Sequence, residues 1–287
     1  MQPGVGVLFN PALAEFVATH QASLDYLAII PDRLWIDRGF GGPSRFETLP
    51  FAGSVLSEAA CHLPVVMHGI GLSICSAGLF DLEYLDQLAS WRDRYGCPWV
   101  SEHLSFSRIA AGHETNASVA LPVAYDCEML ELLVPRIREA QSRLRCPFLL
   151  ENNVYYVTFP EQEMTEPQFL NAMTGATGCG LLLDLHNVYT NARNHGFDPR
   201  CFLAELDGSH VIEIHVAGGS EMMGFYTDSH TGPVVEEVWN LLEFALPRCP
   251  NLRGVTFEFH ESSWPLLRDD GVRAQIERAR SILAGVS

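Results

Sequence analysis

Histidines and carboxylates recur along this chain as pairs with one residue between them: Asp184/His186, Glu213/His215, Asp228/His230 and Glu258/His260. Side chains alternate in an extended segment, so each pair is expected to share a face if its segment is extended. Other candidates stand in similar settings: His68 in His68-Gly-Ile-Gly71, His103 in Ser101-Glu102-His103, and Glu151 in Glu151-Asn152-Asn153. Imidazole and carboxylate donors without thiolate suit iron, manganese or zinc better than an iron–sulfur cluster. One ion takes about four to six ligands, and the candidates exceed that, so two or three ions are expected. Other chemistries lack their motifs: there is no G-x-S-x-G, no G-x-x-x-x-G-K-[ST] and no H-E-x-x-H. Taken singly, each of these groups reads more simply as a hydrogen-bonded core or rim residue, and Asn152, Asn153 and Asn187 read as caps. Six apolar segments in a row that end in such groups outweigh the simpler reading. His20, His62, His113, His195 and His210 have no such context and are expected to be structural or superficial.

The elements that must position these groups can be read from hydrophobic pattern. Apolar runs at 5–9, 24–30, 64–68, 98–103, 147–152, 180–184, 210–216 and 254–260 read as strands. Leu181-Leu182-Leu183 carries no polar residue, as expected for a parallel strand buried on both faces. Helical spacing or start signals appear at 11–20, 51–61, from Asp81 onward, and at 125–144, 166–174, 198–206, 233–246 and 268–283, while 39–43 reads as a loop. Eight strands mostly separated by helices predict an α/β fold, a (β/α)8 TIM barrel in a single domain over 1–287. An open doubly wound sheet would bring a G-x-G-x-x-G turn, and none is present. A barrel aims its strand ends into one mouth, which is where the candidate ligands fall.

The net charge of −17 argues against nucleic acid, whose phosphates need Lys and Arg, and against an anionic membrane surface. No apolar stretch is long enough to span a bilayer, and the first residues do not form a signal peptide. The eight cysteines contain no C-x-x-C pair, so reduced thiols and a cytoplasmic location are expected. Two alternatives stay open on this reading: another metal-dependent TIM-barrel enzyme, such as a sugar isomerase or a zinc phosphodiesterase, and a non-enzymatic scaffold that presents a peptide.

The motifs also resemble a known family. His68-Gly-Ile-Gly-Leu-Ser73, Trp99-Val-Ser-Glu-His-Leu-Ser105, Leu149-Leu-Glu-Asn-Asn153, Gly178-Cys-Gly-Leu-Leu-Leu-Asp184, Asn187-Val-Tyr189, Asn194-His-Gly-Phe-Asp-Pro199, Glu213-Ile-His-Val-Ala-Gly218 and Asp228-Ser-His230 resemble, in order, signatures of the multinuclear non-heme iron-dependent oxidases (DUF692), known from methanobactin biosynthesis. The likeness runs from about residue 4 to 264. It implies a TIM barrel with two or three irons in mixed Fe(II)/Fe(III) forms and O2 as co-substrate. It implies an enzyme that modifies a ribosomally made precursor peptide, commonly at Cys, often with a small partner protein that recognises the leader. The iron ligands it implies are His68, His103, Glu151, Asp184, His186, His215, Asp228, His230 and Glu258, eight of which, all but His186, are also expected to be catalytic. Three departures stand out: His186 where many relatives carry Asn, Glu258-Phe-His260 in place of Glu-x-Asp, and Ile29-Ile30-Pro31-Asp32 at the end of the second strand.

Overall fold

The computed structural model describes residues 3–40, 44–50, 56, 62–111 and 113–285, with backbone alone over 109–111 and 113–120. The expected helix at 51–61, apart from Leu56, and positions 41–43 of the expected loop lie outside the described residues. Eight strands form the barrel: β1 (Gly4–Leu8), β2 (Tyr26–Ile29), β3 (Val65–Gly69), β4 (Val100–His103), β5 (Phe148–Glu151), β6 (Gly180–Asp184), β7 (Val211–Ala217) and β8 (Gly254–Glu258). All neighbours pair in parallel, and β8 returns to β1, so the sheet has no free edge. The helices are α1 (Ala14–His20), α2 (Leu82–Tyr95), α3 (Cys127–Leu144), α4 (Glu166–Thr177), α5 (Leu185–His195), α6 (Pro199–Glu205), α7 (Glu236–Ala245) and α8 (Trp264–Gly285). Asp81, Asp126, Asp184 and Asp198 cap α2, α3, α5 and α6 through their carboxylates, and Thr165 with Gln168 forms a capping box on α4. The last helix starts four residues before the expected 268, and Arg268 interrupts it with φ 51°.

Strand alternation divides the core. Residues such as Leu27, Ile29, Leu150 and Leu183 face the helices, while Leu8, Tyr26, Ala28, Val66, Trp99, Leu149 and Leu182 form a second, separate cluster that fills the barrel. Three hairpins were not legible in the pattern: Trp35–Asp37 with Phe46–Thr48, Phe106–Ala111 with His113–Leu121, and Ser220–Met222 with Phe225–Thr227. They follow β2, β4 and β7, and so rise from the end of the barrel at which the strands finish. No helix among the described residues is long and apolar enough to cross a membrane.

Candidate functional site

The interior cluster sets the site by register. Two residues beyond Val66, Leu149 and Leu182 stand His68, Glu151 and Asp184, and Trp99 leads through Ser101 to His103. On β7 and β8 the same inward rows carry Glu213 then His215, and Thr256 then Glu258. The barrel interior thus changes from apolar to ionisable at its last layer. Three sets of donors result, each with its atoms within 4.8 Å of one another: His68, His103 and Glu151; Glu151, Asp184 and His215; His186, Asp228 and His230.

In the first set, His68 Nε2 and His103 Nε2 lie 3.1 Å apart, and Glu151 Oε2 is 3.1 Å from His103 and 3.5 Å from His68. The Ser101 hydroxyl donates to Met67 O and accepts from His68 Nδ1 at 3.0 Å. That arrangement leaves a lone pair on His68 Nε2, facing a carboxylate oxygen. Lone pairs that face one another inside a protein call for a cation between them.

Glu151 belongs to the first and second sets, and Glu258 links the second and third. Its Oε1 touches His215 Nδ1, and its Oε2 is 3.5 Å from His230 Nε2. In the third set, Asp228 Oδ1 is 2.9 Å from His186 Nδ1 and 3.0 Å from His230 Nε2. Among the described residues, His186 Nε2 is buried without a hydrogen bond, and Glu151 Oε2 faces nothing but the two imidazoles of the first set. Donors of this kind, gathered from six strands, one helix and one loop, fit metal ions.

Electrostatics agree with that fit. Burial, then the neighbouring Asp184, holds the Glu151 carboxyl well above its usual range. Burial, then Glu258 and Asp228, pushes Asp184 up to about 6. Burial pushes His103 down to about 4 and His68 well below its usual value. His215 and His230 are the opposite case, since burial would lower both. Glu258 and Glu213 hold His215 well above its usual value, and Asp228 and Glu258 raise His230 to about 10, with Glu258 lowered to about 2 in turn. A multiply charged cation would reverse the strain on the carboxylates and use the neutral imidazoles.

Supporting contacts fix the donors. Glu213 Oε1 lies 3.2 Å from His215 Nε2 and accepts from Thr256, while its Oε2 accepts from Trp99 Nε1 at 2.7 Å. This is the carboxylate behind the imidazole that orients a metal-binding histidine. Asn152 bonds the backbone of Asp184 in both directions, and Asn187 Nδ2 donates to Asn152 O. Glu102 points away from the mouth and accepts from Leu72 N, His103 N and the Tyr84 hydroxyl, which also donates toward Asp32. Gly69 and Gly71 make this possible, since a Cβ at either would stand 2.5 Å from Glu102 Oε2 or 2.4 Å from Asp32 Oδ1.

Every residue expected at the site reaches the mouth, but not always by the route the spacing suggested. The pair Asp184/His186 does not share a strand face. The strand ends at Asp184, which caps α5 by accepting from Asn187 N, and His186 sits on that helix in a different donor set. Asp228 and His230 lie in an irregular loop, with His230 at φ 48°. Glu258 and His260 part company: β8 ends at Glu258, and exposed His260 turns its Nδ1 to Ser262. Asn152 and Asn187 lock strand ends together instead of capping. Sequence reading passed over Asp32, Tyr84 and Glu102 as functional supports and paired Glu213 with His215 as a candidate donor, where the structure sets it behind the His215 ring; the period-two row on β4 holds the signal for Glu102. Among the other histidines, His20 meets Asp269, and His195 stacks on Tyr155.

A cavity of about 140 Å³ opens over these donors, with Phe9 and Phe259 on its apolar wall and Arg33 and His260 also lining it.

Barrels of this architecture are widespread. The fold matches D-psicose 3-epimerase from Clostridium cellulolyticum H10 with TM-score 0.62 over 99% of both chains at 12% identity. It matches an IOLI protein with a bound zinc atom with TM-score 0.63, also over 99% of both chains at 12% identity. These likenesses concern the fold alone. The sequence is more specific. Residues 4–283 match the family of RiPP precursor modification enzymes MbnB/TglH/ChrH, and the chain belongs to that family. A UPF0276 protein of Caulobacter vibrioides is 36% identical over 85% of this chain and 82% of its own. A UPF0276 protein of Rhizorhabdus wittichii is 40% identical over 79% of this chain and 76% of its own. The family is one of enzymes that act on ribosomally synthesised peptides.

Proposed function

We propose that this chain is a multinuclear iron oxidase that uses O2 to modify a ribosomal precursor peptide at cysteine. The observation that carries the reading is the continuity of the three donor sets, joined by Glu151 and Glu258. His68, His103 and Glu151 would hold one ion, Glu151, Asp184 and His215 a second, and His186, Asp228 and His230 a third, with Glu258 between the last two. Iron, when bound, supplies one-electron chemistry and the means to use O2. Glu213 fixes the orientation of His215, Ser101 sets the tautomer of His68, and the Phe9 and Phe259 walls exclude water. The cavity of about 140 Å³ is smaller than a typical small-molecule site of about 300–1,000 Å³, which favours a single side chain presented by an extended peptide. A small leader-binding partner protein and a reducing cytoplasm belong to the same reading.

The test is metal content per chain on protein purified without air, with Mössbauer and EPR spectra of the same sample. Two or more irons with antiferromagnetic coupling, and O2-dependent mass change of a Cys-containing precursor, support the proposal. Stoichiometric zinc or manganese that persists after anaerobic iron reconstitution would sink it in favour of an isomerase or hydrolase on this barrel.

A further inference from the structure

The loop from β5 to α4 has two sides. Asn153 lines the cavity over the donor sets, while Tyr155, two residues on, lines two adjoining cavities of about 470 and 330 Å³. Both of these are also lined by Thr165 and Glu166. Glu166 opens α4 and is only 7% exposed. Its carboxyl is hydrogen-bonded to the Tyr125 hydroxyl, and among the described residues no arginine or histidine lies against it. A buried carboxyl with a phenol as its one side-chain partner is held largely neutral at pH 7, and a cation delivered from outside would favour its ionised form.

The surroundings repeat the sign. Glu163 and Gln162 stand on the first cavity, and Asp198, Cys201 and Glu205 on the second. Glu205 is already engaged by Thr165 Oγ1 and Gln168 Nε2, Glu163 by Cys127 N, and Asp198 by the first turn of α6. Tyr125 and Tyr155 are both pushed up by burial and stay neutral, and His195 stacks on Tyr155 at 4.7 Å. Among the described residues Glu166 is therefore the one deeply buried acid that lines both cavities, with Tyr155 on both and Tyr125 on the first.

We propose that this groove is a subsite for an arginine side chain of the peptide substrate, with Glu166 receiving its guanidinium. A guanidinium suits it better than an ammonium: it is planar, weakly hydrated, stacks on tyrosine and pairs with a carboxylate through two hydrogen bonds. Asn153 and Tyr155 are two residues apart, at most about 7 Å along the backbone, so one peptide can reach both the groove and the mouth. The subsite rests on the peptide-substrate reading above, but its test needs neither metal, O2 nor turnover.

The experiment titrates N-acetyl-arginine amide and its neutral isostere N-acetyl-citrulline amide into the full chain, followed by calorimetry and NMR. The arginine probe is expected to bind at least about tenfold more tightly, and Glu166→Gln is expected to erase the difference. Burial pushes Glu166 up to about 8, and a proton competes with the guanidinium for the carboxylate. Affinity for the arginine probe should therefore fall about tenfold per pH unit below that value, while the citrulline probe stays flat. If Glu166→Gln fails to fold, the pH series on the unaltered chain decides alone. Equal affinity for the two probes, no binding of either at millimolar concentration, or indifference to Glu166→Gln overturns the subsite and leaves the oxidase reading standing.

Discussion

Buried Asp81 and the buried carboxylates of the mouth lie past the same ends of the barrel strands and are neutralised in opposite ways. Beside the hairpin that follows β2, Asp81 accepts from Arg45 at 2.7 and 2.9 Å and from Arg108 at 2.7 Å. Arg45 also pairs with Asp37 and stacks over Phe40 and Phe46. Asp81 caps α2 as well, so this cluster ties a hairpin, a helix and the strand at Arg108 into one unit. In the mouth, Glu151, Asp184, Asp228 and Glu258 meet imidazoles and backbone N–H groups instead, with no guanidinium among their contacts within the described residues. Guanidinium forks complete a carboxylate cluster and make it structural; imidazoles leave it short of positive charge and open to ions.

The contrast breaks most visibly at Glu151. Glu151→Gln removes the carboxylate common to two donor sets, so bound metal should fall by at least one ion per chain and peptide modification should drop below detection. Elemental analysis and mass spectrometry of the product check this; full metal content in the variant would refute the shared role. Next in size is Arg45→Met, which leaves buried Asp81 held by Arg108 and Tyr84 N and should cost about 1.5–3 kcal/mol in urea unfolding, with metal per folded chain unchanged. Burial alone would raise the Asp81 carboxyl, but its contacts with Arg45 and Arg108 hold it below the usual range. Its stabilisation is thus present above an unfolded pKa of about 4 and lost as pH falls through the lower folded value. Unfolding in Arg45→Met should show a flatter acid limb than the parent. The smallest effect is expected at Glu213→Gln, which leaves every donor in place but loosens His215. Metal affinity should weaken about 10–100-fold, read by competition with a chelator, and an unchanged affinity would reduce Glu213 to a packing role.

The barrel was legible because strands buried on both faces read as unbroken apolar runs, as Gly180–Asp184 does, and because helices announced themselves with caps such as Asp81 and Asp198. The hairpins were not, since Trp35–Asp37 and Phe46–Thr48 are three residues long and bury little beyond Trp35. The gathering of His and acid residues at strand ends was visible from sequence; their partition into sets was not. His186 shows why. Spacing of two means one face only while the chain stays extended, and Asp184 ends the strand by capping the next helix. Asp32 stood out in sequence only as a departure from pattern, whereas its contacts with Ile70 N and Tyr84 depend on a loop brought back from β3.

Gly69 and Gly71 carry that last point into evolutionary time. Each marks space occupied by a carboxylate from a distant part of the chain, so substitutions at 69 and 102, and at 71 and 32, are expected to occur together. Lineages that gained a side chain at either glycine should have shortened the acid opposite it. In an alignment of the family, joint change at these two pairs of columns, with His68 and His103 held constant, is the expected trace.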